Sequence, residues 1–395
     1  ADPMYLLFIG VTTVSTYVVS RLLERVSQTQ KAYLAEHKAE LDKEQKKAYK
    51  AKMKAKKWHL LLLCLIFNLG ILSVTKYTNF VITNINAFLS GNAKLALVDM
   101  IVPLGISFYT FQSMGYLIDV YWEKVEAEKN IARLALFVSF FPQLIAGPIV
   151  THNEMIPQFQ DTSKKKFDWD NFGTGVYGFV LGMTKKVLVA DTFALGVDWG
   201  FSNPEKLNGL AVLLVMLSYM IQLYFVSGVW HGAGWTYIIW GAMHAAVYVL
   251  NRIFKRWIEK IPKVITWFST MVFFMFSLIF FRAESVSQAV LMIKRLFTEG
   301  FELPWVKAEL AACYQLEEFW YPLKVLGVDS LPNSQYFMMF ALIIGAWIVM
   351  LFCKNVNEKM ESRKPGVVSA VVCAGLLIWN IVSFSGVSSF LYFNF

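Results

Sequence analysis

Long runs of apolar residues are the feature that most limits what this chain can fold into. A helix needs about 20 mostly apolar residues to cross the hydrocarbon core of a bilayer. We therefore predict an all-α fold, a polytopic transmembrane helical bundle with about ten or more spans, re-entrant helices and a central tunnel. The predicted spans are residues 4–20, 58–75, 98–119, 132–150, 171–198, 209–228, 233–251, 264–281, 335–353 and 366–382.

Composition supports the same interpretation. The chain is 56% hydrophobic and 16% charged, against about 45–50% and about 25% in soluble domains. These proportions exclude a disordered chain, a disulfide scaffold and an ordinary soluble enzyme. Several spans contain Gly, Pro or polar residues, which in lipid must face protein or a water-filled cavity, so an interior path is expected. Segment 80–90 is too short to span and is predicted to be re-entrant or interfacial.

The distribution of charge predicts the topology. Residues 21–57 hold twelve Lys and Arg against five Asp and Glu, which indicates a charged helical arm in the cytoplasm. The stretch 28–57 is predicted to be one helix, either a solvated arm or a docking site for a cytosolic donor. Residues 282–333 hold five basic and seven acidic residues and are predicted to be extracytoplasmic. We expect a single transmembrane domain over 4–395, preceded by an expression scar at 1–3.

The sequence lacks the common active-site motifs of soluble enzymes. No glycine-rich phosphate loop, Gly-x-Ser-x-Gly elbow or zinc-spaced histidine pair occurs, so no metal is predicted. The four cysteines have no metal-ligand spacing and are expected to be packing residues. Lys185 and Lys186 lie near Asp191, where an ion pair is expected. Nucleic-acid binding is not expected, because the excess positive charge lies beside membrane spans.

Two of the five histidines lie within apolar sequence. His231 is surrounded by Trp230, Gly232 and Trp235, and His244 lies in the predicted span that follows, 233–251. An ionisable residue at membrane depth is costly and indicates function, and an imidazole titrates near neutrality and suits general-base chemistry. The alternative is a buried histidine whose hydrogen bonds are satisfied by the protein.

Seven short motifs occur in a family order along the chain. They are PLGISFYTFQ at 103–112, YLIDVY at 116–121, FFPQLIAGPI at 140–149, GMTKKV at 182–187, WHG at 230–232, FFRA at 280–283 and FLYFNF at 390–395. With these motifs the chain resembles the membrane-bound O-acyltransferases (MBOAT), in the bacterial branch that acylates extracytoplasmic polysaccharides, as in alginate O-acetylation. Each motif is weak by itself, whereas the ordered set is specific.

The resemblance implies a function and a set of site residues. It implies that His231 is the active-site histidine, the general base in acyl transfer from a cytosolic thioester to a hydroxyl outside the cell. It places six further residues as substrate-binding or tunnel residues: Trp230, Gly232, Trp235, Gln112, Gln143 and Pro148. His244 is predicted as a seventh such residue from its own position in apolar sequence. No bound cofactor is implied, and acetyl-CoA is the expected donor substrate. The expected partners are the lipid bilayer of a bacterial cell membrane, a polysaccharide acceptor and an extracytoplasmic SGNH-hydrolase-like protein.

The sequence departs from the family at one place. Relatives carry several tens of residues, including a second histidine, where Phe225 joins Val226 directly here. The alternatives are a real deletion and a missing segment, and a missing segment is predicted because both flanks match the family. The chain also begins later than the family does. Two other functions remain open: D-alanyl transfer to teichoic acid, and a non-enzymatic transporter or flippase.

Overall fold

The computed structural model describes residues 4–89, 93–99, 102–103, 105–144, 150–162, 166–225, 234–362 and 366–383. These ranges contain helices and connecting segments and no β-strand, which confirms the all-α prediction. The helices are α1 (Met4–Glu36), α2 (Lys43–Asn86), α3 (Ile106–Tyr121), α4 (Ile131–Val138), α5 (Phe141–Leu144), α6 (His152–Gln160), α7 (Trp169–Thr184), α8 (Asp191–Ser202), α9 (Gly209–Phe225), α10 (Trp235–Ile253), α11 (Lys255–Ile258), α12 (Lys263–Arg282), α13 (Val286–Thr298), α14 (Ala308–Ala312), α15 (Glu317–Val325), α16 (Ser334–Phe352), α17 (Val356–Glu361) and α18 (Val367–Ser383). A π-helical segment, Lys185–Ala190, joins α7 to α8.

Four of the described helices are long and apolar enough to cross a membrane: α1, α2, α12 and α16. Shorter apolar helical stretches occur at Ile131–Gln143, which takes in α4 and most of α5, and at Gly209–Tyr224 and Val367–Ser383. The protein is therefore a membrane protein. The number of spans, about ten or more, and the central tunnel remain predictions.

Two predicted spans are not continuous helices. Within 98–119 the helix begins only at Ile106, after Gly105 in a left-handed conformation with φ 73°. Within 132–150 helix α4 ends at Val138. The reason lies in Pro142, which has no N–H to donate to the carbonyl of Val138 four residues earlier. Each helix is interrupted because a single glycine or proline, which hardly changes the hydropathy of a stretch, stops the helix there. That these stretches span the membrane stays a prediction.

The charged arm is also built differently from the prediction. The single helix expected over 28–57 is broken between α1 and α2, and Asp42 starts the second helix. The Gln45 backbone N–H donates to Asp42 Oδ1 at 2.7 Å, and the Asp42 backbone N–H donates to Gln45 Oε1 at 3.1 Å. This reciprocal capping satisfies two donors at the helix start. At the other end, residues 80–86 continue α2 instead of forming a separate re-entrant segment.

The chain divides into two compact units, Ala1–Phe167 and Asp168–Phe395. In the first unit α1 packs against α2 and α3. Tyr109, Tyr116 and Phe137 are among its fully buried side chains. The turn after α3 is fixed by Glu123, whose carboxylate accepts from Lys57 Nζ at 2.8 Å and pairs with Lys31 Nζ at 2.9 Å. These contacts hold Glu123 at a positive φ of 58°, which is uncommon for a residue with a side chain.

Glu123 should make the stability of the first unit depend on pH in the acidic range. The hydrogen bonds from Lys57 and Lys31 lower its pKa from 4.5 to about 2. Its stabilising contribution is therefore present above pH 4.5 and is lost as the pH falls toward 2. Because the side chain is 36% exposed, we expect Glu123→Gln to cost at most about 1 kcal/mol at pH 7. It should also flatten the fall of the thermal midpoint between pH 5 and 2, measured in detergent.

The exposed carboxylate of Glu40 provides the control, because Glu40→Gln removes the same charge from the arm. An unchanged acid profile in Glu123→Gln would contradict the assignment.

The second unit is built around α9, whose Val212, Val215 and Met216 are fully buried. The predicted extracytoplasmic segment 282–333 is largely helical and packs on this core. Tyr314 Oη donates to Ser218 Oγ of α9 at 2.7 Å. Trp320, an aromatic residue of the kind that favours the membrane interface, is 4% exposed and is buried in the second unit.

Candidate active site

The eight predicted site residues are distributed over both units. Gln112 and Gln143 lie in the first unit, and Trp235 and His244 lie in the second. The remaining four lie outside the described residues: Pro148, Trp230, His231 and Gly232.

The two glutamines come together in the interior of the first unit. Gln112 lies on α3 and is 4% exposed, and Gln143 on α5 is 8% exposed. Gln112 Nε2 donates to the Phe137 carbonyl at 2.9 Å and lies 3.4 Å from Gln143 Oε1. Phe137 lies in the last turn of α4, where carbonyls lack partners within the helix. Gln112 therefore closes the end of α4, whatever else it contacts.

Removing this amide should destabilise the first unit. Gln112→Leu keeps the volume and leaves the buried Phe137 carbonyl without its donor. We expect a loss of about 1–3 kcal/mol in the free energy of unfolding, read as a lower thermal midpoint in detergent. Gln28→Leu, at an exposed position on α1, is the matched control. Equal midpoints for the two variants would contradict a capping role.

Helices α9 and α10 flank the predicted active-site motif, ending at Phe225 and beginning at Trp235. Trp235 and His244 are nine residues apart on α10, which places them about 13 Å apart along the axis and on opposite faces. Trp235 is 55% exposed. The structure therefore does not bring these two predicted site residues together.

His244 is held by α12. Its Nε2 lies 3.2 Å from Ser277 Oγ, and Ser277 donates its own proton to the Phe274 carbonyl at 2.8 Å. Ser277 Oγ can then only accept, which assigns the proton to Nε2 of His244 and leaves Nδ1 as the acceptor. The Trp240 ring packs on the imidazole at 4.5 Å. This arrangement orients a histidine, and it does not activate Ser277 as a nucleophile.

An apolar cavity of about 560 Å³ lies beside this histidine, lined by residues of α9, α10, α12 and α16 that include Trp240, Phe274 and Phe281. Nearby on α9, Tyr219 Oη and Gln222 Oε1 are buried, and neither has a hydrogen-bond partner within the described ranges. Neither residue was predicted from the sequence. The signal was a phenol and an amide three residues apart in an otherwise apolar helix, which places them on one face.

His152 is a further residue that was not predicted, because its sequence context indicates the start of a loop. It is the first residue of α6 and is 8% exposed, packed between the rings of Tyr116 and Phe137 at 4.8 and 5.4 Å. Burial lowers its pKa below the usual value, and the Glu128 carboxylate acts in the opposite direction. The signal in the sequence is the pair Thr151 and Glu154, whose spacing predicts the start of a helix at His152. In the structure the Glu154 carboxylate accepts from the Thr151 N–H at 3.0 Å.

Other charged groups have structural partners. Lys186 Nζ donates to Asp191 Oδ2 at 2.7 Å, which confirms the predicted ion pair. Arg282, from the motif at 280–283, pairs with Asp198 at 2.6 Å. Across the part of the chain that the structure describes, no three His, Cys, Asp or Glu side chains are grouped as metal ligands. All four cysteines are free.

Comparison with known proteins gives clear relatives. The chain is 28% identical to a peptidoglycan O-acetyltransferase of Helicobacter pylori, over 85% of this chain and 82% of that protein. It is 27% identical to a probable alginate O-acetylase, AlgI, of Azotobacter vinelandii, over 65% of each chain. A teichoic acid D-alanyltransferase of Bacillus subtilis is 25% identical over 32% of each chain. No family model and no solved structure matches. The predicted resemblance to bacterial membrane O-acyltransferases, and with it the enzyme class, is confirmed.

The alignments also bear on chain length. The stretch aligned with the Helicobacter protein is 444 residues long, more than the 395 residues of this chain. The relative therefore carries residues that have no counterpart here. The predicted gap between Phe225 and Val226 falls beside 226–233, outside the described residues, and its position remains a prediction.

Proposed function

We propose that the chain is a multi-pass O-acyltransferase of a bacterial cell membrane, which passes an acetyl group from a cytosolic thioester to a hydroxyl on a cell-surface polysaccharide or partner protein. The observation that carries this proposal is the 28% identity to a peptidoglycan O-acetyltransferase over 85% of the chain. Four long apolar helices support the membrane location. The charge distribution supports a cytoplasmic arm at 21–57 and an extracytoplasmic segment at 282–333.

The reaction requires a general base and a path from which water is excluded. In the proposed step the imidazole of His231 removes the proton of the acceptor hydroxyl as its oxygen attacks the thioester carbonyl. The new C–O bond forms, the C–S bond breaks, and the thiolate of CoA leaves and takes up a proton. A thioester is activated enough for a positioned base and one hydrogen-bond donor to the oxyanion to suffice. His231 is proposed because it is a histidine in apolar sequence, within the motif that carries the family resemblance.

The remaining predicted site residues are proposed to line the path. The apolar cavity lined by Trp240, Phe274 and Phe281 supports a dry environment on the α10 side. Excluding water protects the donor from hydrolysis. His244 is proposed to orient a group in this environment, because Ser277 fixes its ring. Trp230, Gly232, Trp235, Gln112, Gln143 and Pro148 are proposed as lining residues from the sequence motifs alone.

The donor and the acceptor are proposed to approach from opposite sides. Acetyl-CoA carries several negative charges and cannot cross lipid, so it must reach the site from the cytoplasm. The product would be handed to an extracytoplasmic SGNH-hydrolase-like partner or directly to the polysaccharide.

Acetyl transfer is tested with the protein in sealed vesicles. Acetyl-CoA carrying a labelled acetyl group is supplied on the cytoplasmic side, with soluble polysaccharide acceptor outside, and labelled ester and free CoA are both measured. We expect ester and CoA in equal amounts. Absence of both from wild-type protein, in vesicles that also contain the partner protein, would overturn the proposal.

D-alanyl transfer is the second candidate, supported by the partial similarity to the Bacillus subtilis enzyme. The same vesicles supplied with D-alanyl thioester on a carrier protein distinguish the two. Labelled D-alanyl ester without acetyl ester would favour this candidate over acetyl transfer.

A further inference from the structure

The first unit contains a polar cavity that is lined by none of the residues assigned to acyl transfer. It has a volume of about 410 Å³ and lies between the connection 122–130 and helix α6. The lining includes Lys124, Lys129, Arg133, His152 and Asn153. Pockets of about 300–1,000 Å³ are typical of small-molecule sites.

His152 shows that this cavity is built to hold a polar group. The side chain is more than nine-tenths buried, yet neither Nδ1 nor Nε2 has a hydrogen-bond partner among the described residues. Glu128 Oε2 is 3.8 Å from Nε2, too far for a hydrogen bond. A buried polar atom without a partner costs about 1–3 kcal/mol. His152 is among the residues that line the cavity, and a ligand that reached its ring nitrogens would remove that cost.

The charges around the cavity favour an anion. The negative charge of Glu128 is already matched, since its Oε1 accepts from Arg133 Nη2 and from the Asn130 N–H, both at 2.9 Å. The lining holds three basic side chains, Lys124, Lys129 and Arg133, against the two acidic ones, Glu126 and Glu128. Lys124 Nζ also lies 3.9 Å from Asp119 Oδ1. The buried Nε of Arg133 has no hydrogen-bond partner among the described residues. Helix α6 also begins here, and the N-terminal end of a helix attracts negative charge.

Contacts within the first unit connect this cavity to the basic arm, which is predicted to be cytoplasmic. Lys57, in the basic arm, binds Glu123 at the start of the connection. Tyr17 Oη of α1 donates to the Lys129 carbonyl at 2.9 Å. The arm is predicted to be cytoplasmic from its charge. The cavity therefore lies at the side from which a cytosolic donor would approach.

We propose that this cavity binds a phosphate ester, that of the CoA thioester donor, with His152, Arg133 and Lys129 as the binding residues. The proposal rests on the proposed function for the identity of the donor. An anionic lipid headgroup of the cytoplasmic leaflet offers the same phosphate chemistry. Phosphate ester oxygens accept the hydrogen bonds that the buried imidazole and the guanidinium have to give.

Binding of CoA without an acetyl group tests the proposal apart from turnover. Titration calorimetry of the full chain in phosphatidylcholine nanodiscs gives the Kd of wild type, His152→Gln and Lys129→Gln. Lys129 is exposed, so its variant keeps the packing even if His152→Gln disturbs it. Lys50→Gln, an exposed arm position outside the cavity, is the matched control. We expect a roughly tenfold weaker Kd for His152→Gln, a smaller loss for Lys129→Gln, and no change for Lys50→Gln.

A second set of nanodiscs containing phosphatidylglycerol separates the two phosphate sources. Retention of that lipid by wild type and its loss in both cavity variants, with no CoA binding, would assign the phosphate to lipid. Kd values for CoA and lipid retention that are insensitive to both variants would overturn the cavity as a phosphate site, and so would failure of wild type to bind either probe. His231→Ala should keep CoA binding and lose transfer, so failure of this inference remains distinguishable from failure of the proposed function.

Discussion

His231→Ala is expected to lower acetyl transfer by at least about 10²-fold, because a positioned general base contributes about 10²–10⁴-fold to the rate. Without the imidazole, the acceptor hydroxyl must attack while it still holds its proton. The loss should appear in kcat, measured as labelled ester formed in vesicles, while the thermal midpoint and the elution volume in detergent stay those of wild type. His231→Gln should be equally inactive, since an amide cannot accept the proton.

His59→Ala is the matched control for this experiment. His59 is an exposed histidine at the start of the apolar part of α2, and its removal should leave the rate unchanged. A transporter makes the opposite prediction, since flux of an acylated species would survive His231→Ala. Full transfer activity in His231→Ala would contradict the proposed base.

Gly200→Leu is expected to disrupt the second unit. A Cβ at Gly200 would lie 2.6 Å from Val215 Cγ2 and 2.9 Å from its Cγ1, both buried on α9. One turn earlier on the same face of α8, a Cβ at Gly196 would collide with the ring of Tyr314. Small residues four apart let membrane helices approach closely. Inserting a whole isobutyl group should cost about 3 kcal/mol or more, seen as a markedly lower thermal midpoint and loss of monodisperse protein.

Gly175→Leu supplies the comparison, because a Cβ at this exposed position of α7 meets no atom within 4 Å. Gly200→Ala should fall between the two, since a single methyl asks Val215 for a smaller shift. If Gly200→Leu and Gly175→Leu had equal thermal midpoints, the close approach of α8 and α9 would not be a determinant of stability.

The sequence predicted best the helices whose limits depend on composition alone. The spans predicted at 264–281, 335–353 and 366–382 correspond to Lys263–Arg282, Ser334–Phe352 and Val367–Ser383. Each is an unbroken apolar run, and hydrocarbon thickness sets its length. The limits agree less well at 98–119 and 132–150, where one backbone conformation or one missing N–H decides whether a helix continues. Such local effects hardly change the mean hydropathy of a window.

The candidate site divides in the same way. The sequence alone shows the motif around His231 and the resemblance to O-acyltransferases. Both depend on residues that are neighbours along the chain. The proximity of Gln112 to Gln143 was not predicted, and neither was the pairing of His244 with Ser277, 33 positions apart.

By itself, the sequence of this protein determined an all-helical membrane fold, the polarity of its arm and its likeness to acyl-transferring enzymes. All three follow from patterns along the chain, namely apolar length, charge and ordered motifs. Only the tertiary structure decided that His152 is buried against Tyr116 and Phe137 beside a polar cavity. Burial depends on which helices pack together. The residues next to His152 in the sequence do not indicate which aromatic rings will pack against it.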